Sequence, residues 1–172
     1  MRSVENSEIY NFNKSTYVNL RWIAFIGQIF AIFFVEFILR FKFNYIPCLA
    51  VICLGVFTNI FLQFKIKDNK INNIQSLKYL IYDILQLTFL FFLTGGITNP
   101  FIFLIIIPAV FSSQYLSIKS SIILVILTIL GLFLLTFFYF ELPHPSELHF
   151  HVPNYYLYAI PISILIGLLF LV

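Results

Sequence analysis

Charged residues are scarce in this chain. Only 10% of its 172 residues are Asp, Glu, Lys or Arg, whereas 61% are hydrophobic and 23 are phenylalanine. Soluble domains are about half apolar and about a quarter charged, so the composition excludes an ordinary soluble domain and indicates an integral membrane protein. The net charge of +3 is too small to indicate a nucleic-acid partner.

Cysteines and a secretory leader are also lacking. The two cysteines, Cys48 and Cys53, lie in one apolar run at a spacing that does not share a helix face. We interpret them as small buried hydrophobic residues and not as a disulfide or a metal pair. The first eighteen residues are polar and include acidic ones, whereas a signal peptide is basic and then apolar. We interpret residues 1–18 as a polar cytoplasmic segment that precedes a membrane domain at 19–172.

The apolar runs predict an all-α integral membrane protein with six transmembrane helices. The spans are expected at residues 20–39, 45–64, 77–93, 100–115, 120–140 and 155–172. A helix needs about 20 residues to cross the hydrocarbon core, so the third and fourth spans are short and predict either local thinning of the bilayer or a corner slightly below the membrane surface. Pro108 predicts a kink in the fourth span.

Lysine and arginine are unevenly divided between the two sides of the predicted bundle. One side holds Arg2, Lys14, Arg21, Lys65, Lys67, Lys70, Lys78 and Lys119, and the other holds Arg40 and Lys42. The positive-inside rule then places both termini in the cytoplasm. Arg21 and Trp22 are expected to anchor the first span at the interface. Because Val172 ends an apolar run, we expect the chain to be the front part of a longer protein.

Residues 95–101, with the sequence GGITNPF, separate two long apolar runs. The paired glycines predict the end of a helix, because glycine adopts left-handed backbone angles without a Cβ clash. The Asn99-Pro100 pair predicts the start of the next helix, since asparagine is a good N-cap and proline is tolerated in the first turn. The pattern therefore predicts a tight helix–turn–helix corner at the outer edge of the membrane.

The stretch from Asp83 to Phe101, DILQLTFLFFLTGGITNPF, resembles the third span and outer loop of the redox-sensing histidine kinases of the RegB/PrrB/ActS type. That family's motif is Gly-Gly-x-x-Asn-Pro-Phe, and every fixed position is met here. The opening LRWIAFIGQ, residues 20–28, is also similar to the family's first span. The resemblance implies a six-helix sensor domain, in a bacterial inner membrane, that binds ubiquinone or another quinone at Gly95, Gly96, Asn99, Pro100 and Phe101.

The resemblance also implies partners that lie beyond the membrane domain. It implies a homodimer in contact with membrane lipid and the quinone pool, and a cytoplasmic response regulator reached through a kinase region. The chain has neither a phosphoacceptor histidine in the family's position nor a glycine-rich nucleotide loop. Whether the chain is part of an enzyme therefore stays open: these residues cannot phosphorylate anything, and the expected parent is a protein histidine kinase.

Two roles for the corner remain open. Asn99 offers an amide donor for a quinone carbonyl, and Phe101, or Trp22 from the first span, offers an aromatic face. In the other role the corner is a plain helical hairpin, and Asn99 only caps a helix. The residues by themselves favour the plain turn, whereas the family resemblance favours the quinone site.

Polar residues inside the spans have two interpretations as well. Asp83 and Gln86 share a helix face and could support the quinone site through hydrogen bonds or protons. Alternatively they form a packing pair that fixes helix register, with Asp83 paired to Arg21, Lys78 or a polar neighbour. Gln28 is expected to hydrogen-bond to another helix.

Histidines are confined to the loop between the fifth and sixth spans. His144, His149 and His151 are weak candidates for a metal site, but their spacing matches no standard one, so we expect a solvated loop and no metal. The spans contain no histidine pair for haem, which disfavours a quinone-handling membrane subunit. A small membrane transporter is disfavoured because the one broken helical corner lies at the membrane edge.

Overall fold

The computed structural model describes residues 12–38, 40, 43–66, 68–141 and 154–169. Within these residues the α-helices are α1 (Lys14–Phe33), α2 (Tyr45–Lys65), α3 (Asn73–Leu93), α4 (Ile107–Tyr115), α5 (Ile118–Phe137) and α6 (Asn154–Leu169). A π-helix, Phe34–Ile38, continues α1, and two 3-10 helices, Gly96–Thr98 and Ile102–Ile106, lie between α3 and α4. The predicted all-α class is confirmed apart from a pair of two-residue strands.

Four helices are long and apolar enough to cross a membrane, counted over the described residues. They are Lys14–Ile38, Tyr45–Lys65, Asn73–Leu93 and Ile118–Phe137. Two further apolar helices, Ile102–Tyr115 and Tyr155–Leu169, are shorter. The chain is therefore a helical membrane protein, and the predicted number of six spans exceeds the four that meet this criterion.

Side-chain caps set several helix starts and explain where the predicted spans differ. The Oδ1 atom of Asn13 accepts from the Ser15 amide at 3.0 Å, so α1 begins six residues before the predicted span. Asn72 accepts from Gln75 at 2.8 Å, so α3 has 21 residues. The expectation of a short third span was therefore wrong, because hydropathy does not register a polar first turn.

The fourth segment changes its helix type instead of kinking. Ile102–Ile106 is a 3-10 helix, and the α-helix starts at Ile107. Pro108 lies in the first turn of α4, where its missing N–H breaks no helical hydrogen bond. Pro108 therefore lies at a helix start, and the predicted kink inside this span was wrong.

The strands β1 (Phe12–Asn13) and β2 (Lys70–Ile71) pair antiparallel. They place the start of α1 beside the connection between α2 and α3. The ammonium group of Lys14 also donates to the backbone carbonyls of Gln63, at 2.8 Å, and of Ile66. This end of the bundle therefore gathers basic positions that the sequence placed on one side.

α3 is the central helix because it contributes to all three clusters of buried apolar side chains. Its Phe91 packs with Ile97, Ile105 and Leu132 near the corner. At the opposite end of α3, Leu80 and Ile84 belong to a second cluster with residues of α1, α2 and α5. The third cluster joins α3 to α1 and α2. The packing thus places α3 against α1, α2 and α5 and against the corner. The two cysteines differ in exposure. Cys48 is buried, as predicted, whereas the prediction of a buried Cys53 was wrong because this residue is exposed.

Candidate functional site

The corner has the backbone that its glycines predict. α3 ends at Leu93, and Gly95 and Gly96 follow with φ angles of 100° and 55°. A Cβ at Gly96 would collide with the side chain of Tyr139 and lie 2.8 Å from the Leu135 carbonyl oxygen. Gly96 is therefore needed both for its left-handed backbone and for the close approach of the chain that follows α5.

Asn99 uses its side chain inside the turn. Its Nδ2 donates to the carbonyl of Thr94 at 2.8 Å and to the Thr94 hydroxyl at 2.9 Å. Its Oδ1 accepts from the Phe101 amide at 2.8 Å, and its carbonyl accepts from the Ile102 amide at 3.0 Å. Asn99 therefore caps the turn at Pro100-Phe101 and not the first turn of a helix as predicted, because the next helix starts at Ile102 with Phe101 as its N-cap. Its amide nitrogen already donates to two acceptors of Thr94.

A cavity of about 680 Å³ lies beside the corner, between α1, α3 and the segment that leads into α4. Ligand pockets in proteins have volumes of about 300–1,000 Å³, so this one has room for a ring with substituents. Most of its lining is apolar. The predicted site residues that line it are Asn99, Pro100, Phe101, Gln28, Asp83 and Gln86.

At the cavity end distant from the corner, Arg21 and Asp83 form a buried ion pair. Arg21 Nη2 lies 2.8 Å from Asp83 Oδ1, and the side chains are 4% and 16% exposed. The Tyr17 hydroxyl donates to Asp83 Oδ2 at 2.6 Å, and Arg21 also donates to the hydroxyl of Thr58 at 2.8 Å. These bonds tie α1, α2 and α3 together.

Arg21 is therefore not the interfacial anchor that the sequence predicts. Its guanidinium carbon lies 5.5 Å from the ring centre of Phe25 and 5.7 Å from that of Tyr17, positions that favour a cation. A buried charge needs such partners, because removing it from water is costly. The pairing of Asp83 with Arg21, one of the alternatives open from the sequence, is confirmed.

Gln86 and Gln28 both line the cavity and contact each other directly. Nε2 of Gln86 donates to Oε1 of Gln28 at 3.3 Å, which confirms that Gln28 hydrogen-bonds to another helix. Gln86 is 7% exposed. A Cβ on Gly55 of α2 would lie 2.5 Å from the Gln86 Oε1 atom, so the missing side chain at 55 makes room for this amide. Sequence reasoning missed Gly55, although a glycine inside an apolar span is a signal for close helix contact.

Some predicted site residues are not brought to the cavity. Trp22, Gly95 and Gly96 are not among the described residues that line it. Trp22 instead packs edge-on against Phe25, with 6.3 Å between ring centres. The weak metal candidates His144, His149 and His151 lie outside the described residues.

The fold and the site define a helical membrane protein with a ligand-sized cavity beside a Gly-Gly-x-x-Asn-Pro-Phe corner. Among known proteins, the chain is similar to the sensor histidine kinase RegB of Cereibacter sphaeroides, with 32% identity over 157 residues. The match covers 91% of this chain and 34% of RegB, so the chain spans about a third of that relative. The resemblance to the RegB-type sensor histidine kinases is therefore confirmed. No family model and no solved structure matches the chain.

Proposed function

We propose that this chain is the membrane sensor domain of a two-component histidine kinase, and that it senses the redox state of a quinone bound in the cavity beside the corner. The observation that carries the proposal is the cavity itself. It is lined by Asn99, Pro100 and Phe101 of the motif together with Gln28 and Gln86, in a chain that resembles RegB.

The lining suits a quinone ring and its apolar tail. Apart from a few polar groups, the cavity walls are aliphatic and aromatic side chains, which favour a flat apolar ring. Phe30 on α1 and Phe103 and Ile107 on the facing segment line the cavity and are also 67%, 53% and 53% exposed. This side of the bundle is thus apolar on its outer surface, which supports entry of a ligand from the lipid.

The proposed topology has six spans with both termini in the cytoplasm of a bacterium, in its inner membrane. The strand pair supports it by placing the start of α1 beside the connection between α2 and α3, where Lys65 and Lys70 lie. Arg21 no longer counts toward this charge bias because it is buried. The shorter helices Ile102–Tyr115 and Tyr155–Leu169 would supply the fourth and sixth spans.

Signalling requires that the oxidised and the reduced quinone bind two conformations of the domain with different affinities, since a ligand without such a difference shifts no equilibrium. The change would pass to a kinase region outside these 172 residues, then to a response regulator. A homodimer is part of this proposal, as in the family that the chain resembles.

The test is quinone binding by the purified chain in nanodiscs, with a variant that fills the cavity. Gly27 lines the cavity and has no atom within 4 Å of a built Cβ, so Gly27→Leu places an apolar side chain in open space. Gly167 in α6 is equally unobstructed but does not belong to the cavity lining described here, so Gly167→Leu is the matched control.

We expect saturable binding in the wild type and in Gly167→Leu, and at least about tenfold weaker binding in Gly27→Leu, a change of about 1.4 kcal/mol. Equal partitioning of the quinone into loaded and empty discs would overturn the proposed function. Equal saturable binding by both leucine variants would show that the quinone binds elsewhere.

A further inference from the structure

We propose that a carbonyl oxygen of the bound ligand is held by the amide pair Gln28–Gln86, deep in the cavity, and not by the corner motif. This inference rests on the proposed function, because it names the subsite for the polar end of a quinone-like ligand. It assigns to the corner residues Pro100 and Phe101 the apolar contacts near the cavity's other end.

The first argument is the state of the donors at the corner. The Asn99 amide nitrogen already donates to two acceptors of Thr94, and the Thr94 hydroxyl in turn donates to the Leu90 carbonyl at 2.8 Å. The amides of Phe101 and Ile102 donate to Asn99. A ligand carbonyl that approached Asn99, Phe101 or Ile102 would therefore have to break one of these bonds, which removes most of the gain from the new one.

The second argument is the surplus of donors at Gln28 and Gln86. Each amide carries two N–H donors. Over the described residues, the side chains of both glutamines make one hydrogen bond, the 3.3 Å contact between them. One proton on Gln86 and both protons on Gln28 are therefore available to an acceptor in the cavity.

The third argument is that the cavity's polar groups continue beyond the glutamines. Arg21 lines the cavity, is 4% exposed, and its buried Nε has no hydrogen-bond partner within the described part of the chain. Asp83 precedes Gln86 by about one helical turn, 4.5 Å at 1.5 Å per residue. Buried donors without a partner are costly in a folded protein, and a ligand oxygen nearby would offset that cost.

The distances along α3 make the two subsites distinguishable. Gln86 precedes Thr94 by eight residues, which corresponds to about 12 Å of helix. A carbonyl cannot contact both places at once. The fixed position of the Gln86 amide against Gly55 means that the donor is already oriented before a ligand arrives.

The experiment measures the carbonyl stretching bands of a ¹³C-carbonyl-labelled quinone bound to the purified chain in nanodiscs, by infrared difference spectroscopy, together with its dissociation constant. The variants are Gln28→Met, Gln86→Met and Asn99→Ala, with Gln114→Met as the control. Methionine keeps the length of glutamine without its donors, and Gln114 is exposed on α4 outside the cavity lining described here.

In the wild type we expect one carbonyl band at lower frequency than for the same quinone in empty discs. The shift should disappear in Gln28→Met or Gln86→Met, with about threefold to tenfold weaker binding, and persist in Asn99→Ala and Gln114→Met. Loss of the shift in Asn99→Ala with retention in both cavity methionine variants would overturn the inference but leave the proposed function intact. An unshifted carbonyl in a saturably bound wild type would overturn it too, whereas no saturable binding at all would remove the proposed function itself.

Discussion

Arg21 of α1 and Asp83 of α3 form an ion pair inside the bundle, with 2.8 Å between Nη2 and Oδ1. The two residues lie 62 positions apart in the chain, and their helices are also joined to α2 by the bond from Arg21 to Thr58. Both residues line the cavity at its end distant from the corner. The same two residues therefore hold three helices together and line the proposed ligand site.

Removal of one member of this pair should destabilise the domain. Asp83→Asn leaves the buried guanidinium of Arg21 without its counter-charge, which we expect to cost about 3 kcal/mol. The double variant Arg21→Met/Asp83→Asn should recover part of that loss, because no unpaired charge remains. Equilibrium unfolding in mixed micelles measures both. Asp68→Asn, at an exposed site, is the control and should stay within about 0.5 kcal/mol of the wild type.

Gly96 should tolerate no side chain. Alanine there meets the Tyr139 side chain and the Leu135 carbonyl and adopts a φ of 55°, which by itself costs about 1–2 kcal/mol. We expect Gly96→Ala to lower the unfolding free energy by more than this, and Gly96→Ala/Tyr139→Ala to regain the part due to the clash with the ring. Gly167→Ala, in open space, should not destabilise the domain. An unchanged unfolding midpoint for Gly96→Ala would contradict the packing described at the corner.

Gly55→Ala should affect the ligand through Gln86. The new methyl group would lie 2.5 Å from the present Gln86 Oε1 position, so the amide must move. We expect quinone binding to weaken about as much as in Gln86→Met, about threefold to tenfold. Gly55→Ala/Gln86→Ala should relieve the crowding at the amide but not the 2.7 Å contact with Phe25 Cε1, and it should not restore binding. Recovery of binding in the double variant would show that Gln86 has no direct role.

The proposed topology predicts which positions are reached from outside the cell. In a background without Cys48 and Cys53, the cysteine of a Glu141→Cys variant should react with a membrane-impermeant maleimide in intact cells. The cysteine of an Asn69→Cys variant, in the connection between α2 and α3, should react only after the membrane is permeabilised. The reverse pattern would invert the orientation derived from the basic residues.

The interiors of α2 and α5 could be predicted from hydropathy, because their apolar runs are long and end in clear changes of composition. The starts of α1 and α3 were misplaced because Asn13 and Asn72 cap polar first turns. The glycine turn of the corner could be predicted because glycine readily adopts positive φ angles. The helix start predicted at Asn99-Pro100 was wrong, because a 3-10 helix starts only at Ile102.

The cavity could not be predicted, because it depends on how three elements pack. A partial signal was present in the first span, where the small residues Ala24, Gly27 and Ala31 recur at helical spacing and all line the cavity. The burial of Arg21 depends on Asp83, far away in the sequence, so its position near the start of a span suggested the interface instead. The hydrogen bonds of Asn99 are local, yet the sequence does not show that its amide nitrogen is already bonded to Thr94.

The most direct test of the central claim is photo-crosslinking of the chain in nanodiscs with a quinone that carries a photoreactive group on its ring. Adducts should concentrate on the cavity-lining parts of three peptides, at residues 24–31, 83–91 and 99–104, and excess unlabelled quinone should suppress them. Adducts spread over exposed residues such as Phe57 of α2 and Phe133 of α5, unaffected by competition, would contradict a quinone site in this cavity.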